Sequence, residues 1–281
     1  MKRFFIILSA IILAAFAALI IWGIYCDNVI AVTNYTEKNN KNNAQLRFVV
    51  ISDLHNKEYG EKNKDLIELV KKQKPDFIAV CGDMVNKGDE STVKMKEVLE
   101  RLAKVAPTYC CIGNHELDNA ENFGIDFKKE IDSTGAVLLD NSYVTFTKDG
   151  ESVLIGGMSD YPYYEFYSKD DDVPERDLWE ELVQKSKNNY TILLHHQPEY
   201  IAEDAKKTDI DLIVCGHTHG GQIRIPFIGG LFAPNQGFFP KYDRGEFDLD
   251  GTKMIVNAGL GNNIPIPRIN NQVEISVIDI K

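Results

Sequence analysis

Six histidines occur in the chain, and all of them fall in short polar stretches that directly follow apolar runs. Four stretches carry them: Ser52-Asp53-Leu54-His55, Ile112-Gly113-Asn114-His115-Glu116, His195-His196-Gln197-Pro198 and Gly216-His217-Thr218-His219. A fifth, Cys81-Gly82-Asp83-Met84, supplies another carboxylate. Singly, each has an ordinary explanation. An aspartate after a strand is usually a cap or turn former, and a lone His-x-His is usually two surface residues. An asparagine after a glycine is normally a turn, and of two adjacent histidines one must point away from any shared centre. Together they form a mixed set of carboxylate, amide and imidazole donors. Such a set suits Mn, Fe or Zn better than calcium, which prefers oxygen alone.

Donors this far apart in sequence can act together only if regular elements bring them to one place. Strands are expected over 46–52, 76–81, 108–112, 191–194 and 211–215, from short apolar runs bounded by turn residues. Helical spacing is seen over 61–73, over 90–104 with Val93, Val98, Leu99 and Leu102 on one side, and over 123–133, 175–187 and 198–207. Strands over 136–139, 143–147 and 153–157 are joined by turns at Asp140-Asn141 and Asp149-Gly150, and the chain from Ile223 to Ile280 is rich in strands. Parallel β-α units followed by antiparallel strands imply an α/β fold of two sheets face to face with helices outside. In open α/β sheets ligands collect beyond the carboxyl ends of the strands, where the polar stretches lie.

Residues 4–25 form an uncharged apolar run of 22, long enough to cross roughly 30 Å of hydrocarbon as a helix. Lys2 and Arg3 precede it and Asp27 follows. The positive-inside bias therefore places residues 1–3 in the cytoplasm, and makes the chain single-pass in the cell membrane with the remainder extracytoplasmic. A cleaved signal peptide is the rival, but the run is long for one and no small-x-small site follows it. Tyr25 before Cys26 also spoils a lipoprotein cleavage box. An uncleaved signal anchor is expected at 4–25, then a polar linker or loose edge segment at 26–45, then the folded domain at 46–281. With 281 residues and 44% hydrophobic content, one full core is affordable. The net charge of −11 argues against a nucleic-acid partner. Five cysteines without regular spacing make no disulfide framework; Cys81 and Cys215 are expected as buried, reduced core residues.

The ordered pieces D-x-H, G-D, G-N-H-E, H-x-P and G-H-x-H resemble the calcineurin-like metallophosphoesterase superfamily over residues 46–281. Gly216-His-Thr-His-Gly-Gly-Gln-Ile223, followed by the proline- and aromatic-rich segment from Arg224 to Gly245, is similar to its membrane-anchored bacterial phosphodiesterase branch. The resemblance implies a four-layer αββα sandwich of two mixed β-sheets flanked by helices, with the N-terminal transmembrane helix added. It also implies two divalent metal ions. Asp53, His55 and His219 would hold one, Asn114, His196 and His217 the other, and Asp83 would bridge both. His196, not His195, matches H-x-P, and His115 matches the histidine beside the scissile phosphate. Two such cations make water acidic enough to attack phosphorus near neutral pH, and His115 would protonate the leaving group or hold a phosphate oxygen. Glu116 is left to orient a neighbour.

The implied activity is hydrolysis of phosphodiester or pyrophosphate bonds. The branch includes enzymes acting on UDP-diacylglucosamine, which points to a lipid-linked or cell-envelope substrate. A phosphoprotein phosphatase and a non-catalytic membrane-tethered binding module are the rivals; the second would be expected to show a broken donor set. Tyr161–Tyr167 could form an aromatic lip over the site or a packing loop. One or two of Arg224, Lys241, Arg244 and Arg268 could grip a substrate phosphate or sugar.

Overall fold

The computed structural model describes residues 2–158 and 174–281. Helix α1 (Lys2–Asn28) has 27 residues, about 40 Å at 1.5 Å per residue. Among the described residues it is the one helix long and apolar enough to cross a membrane, and its apolar window packs against nothing. Only Gly23 and Cys26, near its end, are buried. The segment expected as a linker is more ordered than its composition suggests. The helix runs on to Asn28, and β1 (Ala31–Glu37) follows as an edge strand. Its polar residues Thr33, Asn34 and Thr36 fit a strand with one neighbour and a partly solvated face, so hydropathy alone passes over it.

The remaining elements are β2 (Leu46–Ile51), α2 (Lys64–Lys72), β3 (Phe77–Cys81), α3 (Val93–Ala103), β4 (Thr108–Cys111), α4 (Asn114–Phe123) and α5 (Phe127–Asp132). Then come β5 (Val137–Leu138), β6 (Ser142–Lys148), β7 (Glu151–Met158), α6 (Pro174–Ser186), β8 (Thr191–His195), α7 (Pro198–Ala205) and β9 (Leu212–Cys215). Four two-residue strands make two small hairpins, β10 (Arg224–Ile225) with β11 (Gly229–Gly230) and β12 (Phe232–Ala233) with β13 (Gly237–Phe238). The chain closes with β14 (Gly245–Leu249), β15 (Thr252–Val256) and β16 (Glu274–Ile280).

Two six-stranded mixed sheets result, ordered β1-β16-β2-β3-β4-β5 and β14-β15-β9-β8-β7-β6. Strands β2 to β5 run parallel in the first, and β15, β9, β8 and β7 run parallel in the second. Alternation along each strand divides its side chains between two layers. Phe48, Val50, Phe77, Ala79, Ile192, Leu194 and Val214 meet between the sheets. Val49, Ile51, Ile78 and Val80 face out under α2, α3 and α5, and Leu193, Ile213 and Cys215 face out under α6 and α7. Three apolar layers separating four layers of structure make the αββα sandwich. Strands buried on both faces explain the near-continuous apolar runs in the sequence.

Two helical expectations change. Val93 is 68% exposed, and Met95 is buried instead. The stripe Met95, Val98, Leu99, Leu102 keeps the helical spacing from the third residue of α3 onward. The helix expected over 123–133 is α5, which starts only at Phe127, and a helix that was not expected, α4, precedes it and ends where Gly124 takes φ +65°. Helix α4 begins at Asn114, with Gly113 at its N-cap and Glu116 three residues on. All five cysteines are buried and outside any disulfide, Cys81 and Cys215 among them.

Candidate metal centre

Every expected donor lies just past the carboxyl end of a parallel strand. Asp53 follows β2, Asp83 follows β3, and Asn114 and His115 follow β4; His196 follows β8, and His217 and His219 follow β9. Three overlapping groups form, each with ligand atoms within 4.8 Å of one another: Asp53, His55 and His219; His55, Asp83 and His115; and Asp83, His196 and His217. Asp83 is common to two of them. Its Oδ2 is 3.3 Å from His196 Nε2, 3.8 Å from His115 Nε2 and 3.9 Å from His55 Nε2. Asn114 sits beside this centre: the next amide, of His115, donates to Asp83 Oδ1 at 2.9 Å. The Asn114 side-chain oxygen is buried and accepts no hydrogen bond from the described residues, as a position reserved for a cation would require. His195 is fully buried in register with Met158, on the face of Leu193 that packs under the outer helices, so His196 alone of the pair joins the cluster.

The backbone is strained where the donors are. Asp53, His55, Asp83, His217 and His219 all have positive φ, between 48° and 71°. Each such non-glycine residue costs on the order of 1 kcal/mol and persists only where its surroundings hold it. Amides of Asp53 and His55 donate to the carbonyls of Gly82 and Asp83, each at 3.0 Å, laying the first loop on the second. Glu116 holds that second loop. Its carboxylate accepts from the amides of Asp83 at 2.8 Å, Met84 at 2.7 Å, Val85 at 3.2 Å and Gly113 at 2.9 Å. Gly216 leaves room for Asp53, since a Cβ there would lie 2.5 Å from Asp53 Oδ2. Replacing Glu116 by glutamine turns an amide NH2 toward backbone N–H groups. A loss of about 2–3 kcal/mol of stability is expected, together with a fall in activity as Asp83 loosens. Denaturant unfolding read beside turnover checks this, and unchanged values of both would contradict the anchoring role.

Burial sets the charges. It pushes the Asp53 carboxyl up to about 6, against the pull of His196. For Asp83 burial also pushes upward, but His196, His55 and His115 outweigh it and hold the carboxyl well below its usual range. Burial lowers His55 to about 4 and His217 to about 3, and drives His219 well below the ordinary imidazole range. These rings are neutral at neutral pH and can offer lone pairs. An unfolded imidazole takes its proton near pH 6.5, whereas these folded ones wait for about pH 4 or lower. Acidification below about 6.5 therefore protonates the unfolded chain first and destabilises the fold. Asp53 works the other way below about 6, as one group against several. The metal-stripped chain should melt at a lower temperature at about pH 5 than at about pH 7. Equal melting temperatures would contradict the buried, neutral assignment.

The hydrogen bonds behind each ring fix its tautomer. His55 Nδ1 faces the Val85 carbonyl at 3.2 Å, and His196 Nδ1 faces the Cys81 carbonyl at 2.7 Å. A carbonyl only accepts, so both Nδ1 atoms donate and both Nε2 atoms present lone pairs to the centre. His115 is reversed: its Nδ1 accepts from the Lys87 amide at 2.9 Å. Neutral His115 thus carries its proton on Nε2, the atom aimed at Asp83. His219 also differs, because the Arg268 guanidinium donates to its Nδ1 at 3.1 Å. Its Nε2 proton points at His55 Nε2, 3.3 Å away, and a cation held there would displace that proton.

Some contributors were not singled out from sequence. Asn235 donates to Gln197 at 3.0 Å and lies 3.3 Å from His217 Nε2, with Glu199 3.5 Å from the same atom. Asn257, past the end of β15, accepts from Ser52 Oγ at 2.9 Å under Asp53; reading one more strand end would have found it. The expected phosphate grips are already engaged within the chain. Arg224 pairs with Asp243 at 2.8 Å and Arg244 with Glu274, while buried Arg268 donates to Gly261 O at 2.8 Å. Lys241 is exposed, 3.7 Å from Glu203. The aromatic lip expected at Tyr161–Tyr167 lies outside the described residues.

Carboxylates, an amide oxygen and neutral imidazoles gathered at the strand ends of an αββα sandwich define a metal-dependent phosphoester hydrolase. Residues 46–221 match the model of the calcineurin-like phosphoesterase family, and the chain belongs to that family. It is 29% identical over 244 residues to the metallophosphoesterase YkuE of Bacillus subtilis, covering 84% of this chain and 79% of that one. It is 27% identical over 247 residues to the phosphodiesterase YaeI of Escherichia coli, covering 85% and 83%. A metallophosphoesterase of Aquifex aeolicus is 27% identical over 282 residues, 97% of each chain.

Proposed function

We propose that this chain is a membrane-anchored phosphoesterase that cleaves phosphodiester or pyrophosphate bonds of a lipid-linked or cell-envelope substrate, using two divalent cations. Asp53, His55 and His219 would hold one cation, and Asn114, His196 and His217 the other, with Asp83 between them. The observation that carries the reading is the convergence of three overlapping donor groups, with Asp83 shared by two of them. Within them His55 and His196 turn lone pairs toward Asp83, while neutral His115 turns an Nε2–H there. When bound, the cations would supply Lewis acidity toward water and the phosphoryl oxygens. The chain's own part is to place and polarise. Asp83 spaces the imidazoles, and Glu116 keeps Asp83 in its strained conformation. His115, held by the Lys87 amide, would turn its Nε2–H to the leaving-group oxygen or a phosphoryl oxygen.

Similarity to a phosphodiesterase across most of both chains supports diester cleavage. Helix α1 supports anchoring, while five cysteines outside any disulfide sit oddly with an oxidising exterior. The test is hydrolysis of bis-(p-nitrophenyl) phosphate by the purified chain. Activity should vanish with EDTA and return with Mn²⁺; a rate indifferent to chelation refutes the reading. Protease digestion of intact cells should reach the domain, and protection there would reverse the orientation.

A further inference from the structure

Outside α1, the exposed large apolar side chains concentrate in two segments, with Phe227, Ile228, Phe238, Phe239, Ile264 and Ile266 all more than a third exposed. Residues 225–240 and 254–267 contain no charged side chain, in a chain that is 26% charged. The two segments are tied together. Ile223 bridges Ile269, the Arg224 amide donates to Ile269 O at 2.9 Å, and the Gln222 side chain donates to Ile266 O. They also border the metal centre. Asn235, in the turn between β12 and β13, reaches His217, and Gly221, two residues after His219, packs on Gly230 too closely to admit a side chain.

The same loop supports the end of α1. A Cβ on Gly23 would stand 3.1 Å from Pro267 Cβ. The Arg268 amide donates to Asp27 Oδ1 at 3.3 Å, and the Val273 amide donates to Cys26 O at 2.9 Å. Gly23 lies about 7 Å along the helix axis from its end at Asn28. Pro267 is therefore level with a turn whose other residues, Trp22, Ile24 and Tyr25, are exposed and apolar. If that turn lies in a bilayer, the loop beside it lies in the bilayer's interfacial layer.

We infer that the 262–267 loop and the two hairpins between Arg224 and Phe238 form a lipid-contacting surface, seated in the membrane interface beside α1 at the edge of the metal centre. The inference rests on reading α1 as an anchor, and it deepens the proposed function. Aromatic and proline-rich uncharged loops suit this layer. Seated there, the centre would take a phosphoester whose hydrocarbon part stays in the same leaflet.

The test uses the full chain in protein-free vesicles of phosphatidylcholine and phosphatidylglycerol with brominated acyl chains, which quench nearby tryptophan. Trp22 of the native chain reports on the anchor. Tryptophan is then introduced singly as Phe238→Trp, Ile266→Trp or, as a control on exposed α3, Val93→Trp. Each is made with Trp22→Phe, and buried Trp179 is kept as constant background. Quenching at 238 and 266 but not at 93 is expected. If Trp22 is quenched while 238 and 266 behave like 93, the surface is wrong and the anchor stands. If Trp22 is not quenched either, both fall. In a second arm, Phe227→Asp/Phe238→Asp should keep its rate on soluble bis-(p-nitrophenyl) phosphate. It should lose about tenfold on phosphatidyl-p-nitrophenol in vesicles, as lipid contact weakens. Equal rates on both substrates would overturn the inference, and so would vesicle contact that requires an added membrane protein.

Discussion

An Asp83→Asn chain should fold, yet lose about 10³-fold or more in kcat/KM, equivalent to about 4 kcal/mol of transition-state stabilisation. Asparagine is nearly the same shape and can keep the Oδ1 acceptor for the His115 amide. What it removes is the charge on the oxygen that His196, His115 and His55 approach to between 3.3 and 3.9 Å. In its place would stand an NH2 group, or a flipped amide that surrenders the bond to His115. Either weakens cation binding at two of the three donor groups at once. Metal content by plasma mass spectrometry should fall in step with activity, while near-ultraviolet circular dichroism stays that of the parent. A fully metallated, fully active variant would show that Asp83 does not bridge the centre.

His115→Gln should behave differently. Loss of a positioned general acid costs about 10²- to 10⁴-fold, with metal content unchanged, because the ring's tautomer suits a proton donor. The loss should depend on the leaving group. Nitrophenolate departs without a proton, so the aryl diester should suffer little, while an alkyl diester should suffer the full effect. Equal losses on both would mean that His115 holds the substrate and does not protonate it.

Much of the fold was legible in the sequence because its sheets are buried on both faces. Runs such as Phe77–Cys81 and Leu212–Cys215 are apolar throughout. Of the two readings of 26–45, linker or loose edge segment, the sequence could not choose the edge strand β1, since its stability comes from pairing with a strand far along the chain. The members of the site stood out by residue type at strand ends. Their roles did not, because roles depend on backbone groups that approach from elsewhere. Nothing in Gly113-Asn114-His115-Glu116 announces that Glu116 will collect four amides, three of them from residues 83–85. Nor does it announce that the Lys87 amide will turn His115 into a donor. The capping spacing between Gly113 and Glu116 was in view, and it marks the start of α4. Arg268 could not be distinguished from surface arginines until its loop was seen folded over His219.

Strand β16 lies between the edge strand β1 and β2, so β1 has no place in the first sheet until Glu274–Ile280 enters it. A ribosome releases the hydrophobic helix and β1 long before their partner exists. The newborn domain must therefore wait, incomplete and tethered, for its final strand. Chains interrupted before Glu274 would lack the strand that joins β1 to the rest of the sheet, and a quality-control protease would find β1 unpaired.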